Sequence, residues 1–368
     1  MPGAPDLRRG GGHRPAPLAA LAQRRHPAGA RQRAAPAWRL RPRADVSAVP
    51  SPVRVALLGC GTVGSAVARR LQDRQERYAE LLGRSLELVG VAVRDRSLPR
   101  EGVDPVLLTT DAEALVRQAD VVVEVMGGIE PARSLIETAL RGGAQVVTAN
   151  KQLVAQQGEG LAAVAAEQGV GLDYEGAVMA AVPVLAVLRD SLAGDEVTAV
   201  RGVVNGSTNY VLDLVAREGV AFGEAVRQAG ELGYLEADPT EDLEGLDAAA
   251  KAVILARTAF GAQVGLDEVD RVGITGLTDE DFKRAAQEGT VIKLVASARR
   301  AGCGAQVAVR PEALPAHDPL AAVRGGTNIV VIEAVSAGEL RLQGAGAGGE
   351  ETASAVLGDI VRAARRVR

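Results

Sequence analysis

Along the chain, short and almost unbroken apolar runs give way to stretches of helical spacing in regular alternation. VRVALLG, starting at Val53, is apolar at nearly every position, as a strand buried on both faces is. It runs directly into GCGTVG and a helical stretch that ends near Gly83. LELVGVAV, the helical DAEALVRQ, DVVVEVMG, the helical PARSLIETALRGG and AQVVTAN follow in order. Such alternation predicts an α/β fold, a Rossmann-type doubly wound parallel sheet, over residues 53–175. From about Gly176 the segments lengthen into VTAVRGVVNGS, TNYVLDLVARE and a long helix beginning near Leu246, which predict a second, α+β domain over 176–344. The closing ETASAVLGDIVRAARRVR follows GAGAGG and has helical spacing, so residues 345–368 are expected to fold back against the first domain.

Residues 1–52 break this picture. They are rich in Arg, Pro and Ala, nearly free of acids and without a sustained period, and are expected to be disordered. Two readings stand: an address or basic tail, or a start codon assigned too early in a GC-biased gene. A chain of 368 residues exceeds what one core usually holds, in keeping with two folded domains. With 24% charged residues and a net charge of −4 there is no electrostatic footprint for nucleic acid, and 2% aromatics leave no stacking platform for bases. Only Cys60 and Cys303 are present, which excludes a disulfide framework and suits a reducing, cytoplasmic setting. No apolar run approaches the ~20 residues that span a bilayer, so no membrane role is expected.

The segment Gly59-Cys60-Gly61-Thr62-Val63-Gly64 ends a strand and opens a helix, the context that a dinucleotide fingerprint requires. Gly59 would permit the tight turn, Gly61 the approach of a pyrophosphate, and Gly64 close helix–strand packing, while the helix start offers N–H donors. At the end of the second strand, where an NAD enzyme usually carries an acid, VAVRD places Arg94 before Asp95. A guanidinium there favours the 2′-phosphate of NADP, and Asp95 leaves NAD open.

The densest chemistry lies in AGELGYLEADPTEDLEGLDAAAK, Ala229–Lys251, where seven acids precede one lysine. A solvated acidic loop would look similar. The Asp238-Pro239 break and the i, i+4 spacing of Asp247 and Lys251 on one helical face favour instead an acid holding an amine in place. Carbonyl reduction needs a proton donor, usually His, yet His13 and His26 lie in the tail and His317 in a Pro-rich stretch. Lysine is therefore the better candidate, tuned by neighbouring carboxylates and burial.

The run Gly233-Tyr234-Leu235-Glu236-Ala237-Asp238-Pro239, followed by Asp242-Leu243-Glu244-Gly245-Leu246-Asp247 and Lys251, resembles the signature of the homoserine dehydrogenase family. VVTANK at 146–151, VVNGSTNYVLD at 203–213 and GAGAGGEETASAVLGDI at 344–360 extend the resemblance from Val53 to the end. It implies an NAD(P)-dependent oxidoreductase that interconverts L-aspartate 4-semialdehyde and L-homoserine. By the same resemblance Lys251 is the proton donor, with Asp247 beside it. Glu236 binds the substrate's amino group, and Asp242 and Asp247 support that pocket. Lys151 lies between cofactor and substrate as a second candidate for the proton, and Gly233 and Gly348 approach the nicotinamide. A structural sodium ion is implied at Glu175, Val178, Ala180 and Val182, although EGAVMAAVP lacks the two central glycines of many relatives. The family likeness further implies a homodimer formed through a sheet of the second domain. It also implies little feedback by threonine, because the sequence stops at RAARRVR without a small regulatory domain.

Two other classes remain in view. A thioester-forming aldehyde dehydrogenase would need an activated cysteine, and Cys60 lies in the fingerprint turn while Cys303 sits in AGCGA with no His nearby. A nucleotide sensor would keep the glycine-rich turn but have no use for Lys251, Asp247 and Glu236 together.

Overall fold

The computed structural model describes residues 51–100 and 102–368, so the expectation of disorder over 1–52 lies, up to residue 50, outside the described residues. Six strands form the first sheet: β1 (Val53–Leu58), β2 (Leu86–Ala92), β3 (Leu108–Thr109), β4 (Val121–Glu124), β5 (Gln145–Thr148) and β6 (Leu172–Asp173). Their spatial order is β3-β2-β1-β4-β5-β6, every pair parallel, so the chain winds outward in both directions from β1 and leaves a crevice between β1 and β4 at the strand C-termini. The helices of this half are α1 (Thr62–Asp73), α2 (Gln75–Leu82), α3 (Ala112–Val116), α4 (Ala132–Arg141) and α5 (Lys151–Gln168). The single helical stretch expected to run to Gly83 is broken at Arg74 (φ −120°), and α2 then ends on left-handed Gly83.

Alternate residues of β1 explain why its sequence is apolar throughout. Val55 and Leu57 face one core with α1, whereas Ala56 and Leu58 face another with α4 and α5. Each buried aliphatic side chain contributes roughly 1.5–3 kcal/mol of transfer free energy.

The second sheet is mixed. β7 (Val197–Val203), β8 (Asp270–Arg271), β9 (Thr290–Ala301), β10 (Gly304–Pro315), β11 (Thr327–Ala334) and β12 (Gly338–Ala345) lie in the order β12-β11-β7-β9-β10-β8. Between β6 and β11 run α6 (Val184–Ala186), which continues as a π-helical turn, α7 (Gly206–Glu218), α8 (Phe222–Glu231), α9 (Thr240–Leu243), α10 (Leu246–Phe260) and α11 (Asp279–Gln287). Helix α10 is alanine-rich and buried along Asp247–Ala256, so narrow side chains let it lie between the second sheet and α5. That sandwich brings the start of α5, from the first half, to the start of α10 in the second.

The last helix, α12 (Gly349–Arg366), packs its Ala353, Val356, Leu357, Ile360 and Ala363 into the core shared with Val55, Leu57 and α1. Polar ties fix it there as well: Arg70 and Arg69 pair with Glu350, Arg366 pairs with Asp173, and the Glu175 N–H donates to Asp359 Oδ2 at 2.8 Å.

Candidate active site

The turn after β1 has the shape of a pyrophosphate cradle. Gly59 sits at φ +100°, and a Cβ there would meet the Val125 carbonyl oxygen at 2.9 Å. At Gly64 a Cβ would come 2.3 Å from the Gly59 carbonyl oxygen, so helix α1 can only pack this close with glycine. A Cβ at Gly61, the N-cap of α1, would meet nothing within 4 Å, which leaves open room above the N–H groups of Thr62 and Val63. Arg94 and Asp95 follow β2, both exposed. Asp95 accepts from the Ser97 N–H and hydroxyl, bonds that lower its pKa, while Arg94 makes no ion pair or hydrogen bond with a described residue. Gly348 (φ +123°) caps α12 beside the cradle, where a Cβ on its neighbour Gly349 would meet Thr62 Cγ2 at 2.5 Å.

A buried carboxylate organises the loops around this crevice. Glu124, at the end of β4, accepts from Thr148 Oγ1 at 2.5 Å and from the N–H groups of Met126 and Gly127 at 2.7 and 3.1 Å. Burial raises its pKa against these donors. Thr148 in turn accepts from the Asn150 N–H, and Asn150 caps α5 through Leu153 N while its amide donates to the Gly128 carbonyl. The start of α5, and with it Lys151, is thereby fixed to the sheet.

Across the crevice, Asp247 joins two amines. Lys251 Nζ lies 2.8 Å from Asp247 Oδ2, one turn along the same helix, and Lys151 Nζ lies 3.2 Å from Oδ1. Lys251 also donates to the Val204 carbonyl at 2.9 Å. Burial pushes the Asp247 carboxyl up, but the two ammonium groups and the Lys251 and Asn205 bonds outweigh it and hold its pKa at about 2. For Lys151, burial acts downward, and the Asp247 charge and hydrogen bond together with the charges of Glu241 and Asp242 outweigh it, leaving the amine raised. Asn205 spans the neighbouring acid: its Nδ2 donates to Asp242 Oδ1 at 2.6 Å and to Asp247 Oδ2 at 2.8 Å. Burial raises Asp242, opposed by that bond.

Lys151, Asp242, Asp247 and Lys251 are therefore gathered in one place. Glu236 is exposed in the loop between α8 and α9 and makes no hydrogen bond or ion pair with a described residue. That loop includes Gly233 at φ +77° and is tied down by Tyr234, which stacks on Tyr210 at 4.3 Å and accepts from Ser207 Oγ at 2.6 Å. Sequence reasoning missed Asn205, Asn328 and the Val204 carbonyl, all of which bear on the lysine–carboxylate cluster. The NGS turn of 205–207 was a usable signal only for Asn205, and it reads first as a helix cap, which it also is through the Thr208 N–H.

A glycine-rich dinucleotide cradle in one half and a buried, ion-paired lysine in the other mark a two-domain nicotinamide-dependent dehydrogenase. The family model for the NAD-binding domain of homoserine dehydrogenase matches residues 59–175, and that for homoserine dehydrogenase matches 183–361. The homoserine dehydrogenase of Corynebacterium glutamicum is 47% identical over 322 residues, 86% of this chain and 72% of that protein. A solved homoserine dehydrogenase from Thiobacillus denitrificans superposes with a TM-score of 0.83 at 39% identity, over 86% of this chain and 74% of that one. A hyperthermophilic archaeal homoserine dehydrogenase solved with NADPH gives 0.73 at 29%, over 86% and 100%. The chain belongs to the homoserine dehydrogenase family, oxidoreductases that use NAD(P) and act on a CH–OH group.

Proposed function

We propose that this chain reduces L-aspartate 4-semialdehyde to L-homoserine, with Lys251 as the proton donor and NADP as the preferred cofactor. The observation that carries the reading is the Lys251 ammonium, buried and held by Asp247 Oδ2 and the Val204 carbonyl, with one N–H left free of any described acceptor. A reduced nicotinamide, when bound, would supply the hydride for the aldehyde carbon. Lys251 passes the proton of its free N–H to the aldehyde oxygen, and Asp247 holds that amine in place. Lys151, paired to the other oxygen of Asp247, presents a second positive charge that steadies the developing alkoxide. Asp242 and Glu236 offer negative charge to the substrate's ammonium.

Gly59, Gly61, Gly64 and the N–H groups of Thr62 and Val63 would hold the pyrophosphate, with Gly233 and Gly348 bordering the nicotinamide end. Arg94, exposed and unpaired among the described residues, is free to meet a 2′-phosphate.

Two finer points belong to the same reading. Glu175 is buried, its carboxylate accepts from Leu185 N at 2.8 Å and Ala186 N at 2.7 Å, and burial raises its pKa. Ala180 is held at φ +44°, the left-handed region that favours glycine, and neither its carbonyl nor that of Val178 accepts a hydrogen bond from a described residue. Those two oxygens fit a sodium ion that would offset the buried carboxylate, and the Val182 carbonyl, which already accepts from the Val184 N–H at 2.8 Å, would offer its second lone pair. The helix-free face of the second sheet carries an open groove of about 660 Å³ lined by Arg201, Ser297, Arg299 and Gln306, which suits a homodimer contact.

Purified protein with L-homoserine and NADP or NAD at alkaline pH, read by nicotinamide absorbance, tests the reaction. Reduced cofactor that disappears in Lys251→Ala supports it. A Lys251→Ala variant with wild-type turnover would overturn the assignment of the proton donor.

A further inference from the structure

Asn328, the second residue of β11, is fully buried beneath this site. Its Nδ2 donates to the Val204 carbonyl at 2.8 Å, the same oxygen that accepts from Lys251 Nζ at 2.9 Å. A carbonyl oxygen has two lone pairs, so both are committed, one to each donor. The carboxamide cannot be turned over, because that would set Oδ1 against the carbonyl oxygen. Oδ1 itself is buried without a hydrogen-bond partner among the described residues. An orphaned buried acceptor is destabilising, a cost that an aliphatic side chain in this strand would avoid. Packing alone therefore does not account for an asparagine here; its donor does.

We infer that Asn328 is a positioning residue for the proton donor, holding the Val204 carbonyl so that Lys251 keeps its free N–H directed at the substrate oxygen. The inference rests on the reading of Lys251 given above. An ammonium group is tetrahedral, and once Asp247 Oδ2 and the Val204 oxygen fix two N–H directions the third follows. A Val204 peptide held only by Lys251 could rotate with it. The same peptide leads into Asn205, whose amide carries Asp242 and Asp247, so Asn328 steadies the acid side of the site as well. Misplacing a reacting group by 1 Å can cost roughly 100-fold in rate.

Gly346, in the loop between β12 and α12, closes over Asn328. A Cβ at 346 would stand 1.9 Å from Asn328 Nδ2 and 2.5 Å from Oδ1, so Gly346→Ala must push the amide off the Val204 carbonyl without altering any polar group. It is an independent way to disturb the same contact. The charged groups around Lys251 are Asp247 on its own helix, Lys151 from α5 and Asp242 from α9, and Gly346→Ala adds no charge among them.

The test compares Asn328→Ala, Asn328→Asp, Gly346→Ala and Lys251→Ala in the full chain. It measures kcat and KM with homoserine, dinucleotide Kd, and the pH profile of semialdehyde reduction. Asn328→Ala and Gly346→Ala are expected to lose roughly 10- to 100-fold in kcat, with KM and Kd within about threefold of wild type. Asn328→Asp sets a carboxylate oxygen where the donor was, so it should lose kcat likewise, and its charge near the ammonium should also move the alkaline limb of reduction up by about one pH unit. A defect confined to folding would change the active fraction and leave that limb in place. Wild-type kcat in folded Asn328→Asp overturns the inference whether or not the limb moves, as does a loss that lies in KM or Kd alone. Should Asn328→Ala not fold, the other two variants decide. If Lys251→Ala stays active, the underlying assignment fails and takes this inference with it; if Lys251→Ala is inactive while Asn328→Asp and Gly346→Ala match wild type, only the inference fails.

Discussion

Lys151, the first residue of α5, reaches across from the nucleotide-binding half to Asp247 on α10, with Nζ 3.2 Å from Oδ1. The carboxylate's other oxygen is taken by Lys251, so one buried acid compensates two amines that belong to different sheets' layers. Breaking a buried pair by removing one partner costs ~3–5 kcal/mol. Asp247→Asn is therefore expected to fall in kcat by at least about 100-fold and to lower the unfolding midpoint. The loss of stability should itself depend on pH. Asp247 has its pKa lowered from 3.8 to about 2 in the folded protein, so its stabilisation is present above the unfolded value and is lost as pH falls through the folded one. Denaturant midpoints of wild type and Asp247→Asn should converge between about pH 4 and pH 2. Curves that stay parallel down to pH 2 would contradict the pairing.

The glycines of the fingerprint separate binding from folding. Gly64→Ala drives a methyl to 2.3 Å from the Gly59 carbonyl oxygen, a backbone atom that cannot step aside, so the free protein should lose stability by about 1–3 kcal/mol. Gly61→Ala places its methyl in open space. Its free protein should melt within about 1 °C of wild type, with dinucleotide affinity weakened by at least roughly tenfold where the pyrophosphate must approach. Equal affinity of Gly61→Ala and wild type for NADP would show that the phosphates lie elsewhere.

Much of this architecture was legible because it is local. The apolar VRVALLG, the glycine turn and the helix behind it are consecutive, and Asp247 and Lys251 share a helical face by spacing alone. The order of the second sheet was not legible, since β7 pairs with β9 and β11 across some hundred residues of intervening chain. Neither was the convergence of Asn205, Asn328 and Lys251 on a few atoms: Asn328 sits in TNIVVIEA, where the strand pattern says only that it is one residue of β11. A backbone carbonyl such as that of Val204 carries no signature in sequence at all. The likeness to a family supplied the names of Lys151 and Asp242, and their distances came from α5 lying against α10.

Cofactor choice should turn on Arg94. It lies after β2 with its guanidinium free of described partners, and the neighbouring Asp95 is turned back onto Ser97 by two hydrogen bonds of 2.8 and 2.7 Å. With the acid so engaged, the ribose end of the cofactor meets a cation. Arg94→Ser should raise KM for NADP by roughly tenfold and leave that for NAD within about twofold, since a phosphate–guanidinium bond is worth about 1.5–3 kcal/mol at most when partly exposed. Initial rates with the two cofactors at fixed homoserine measure it. An unchanged NADP-to-NAD ratio would remove Arg94 from the cofactor site.

Lys293 makes the strongest claim about stability. It is fully buried in β9 and donates to Asn209 Oδ1 and to the Val323 carbonyl, both at 2.7 Å, beneath the segment that leads into Asn328. Asn209 in turn donates to the Gly325 carbonyl, and Asp213 holds the Gly325 N–H and Arg324, so the lysine anchors the whole turn. Burial lowers its pKa from 10.5 to about 8, opposed by Asp213 and aided by Arg324. The folded protein thus releases this proton at about pH 8, whereas the unfolded chain keeps it until about 10.5, and between those values the unfolded state binds more protons. Stability contributed by this group must then rise with pH across that window and level off above it. Lys293→Met removes the rise while leaving two buried acceptors unpaired, so it should be less stable than wild type throughout. The gap should widen on the order of 3 kcal/mol from pH 8 to 10.5, read from denaturant titrations at half-unit steps. A gap that stays constant over that range would mean that Lys293 remains charged in the folded protein, and that Asp213 outweighs the cost of burial.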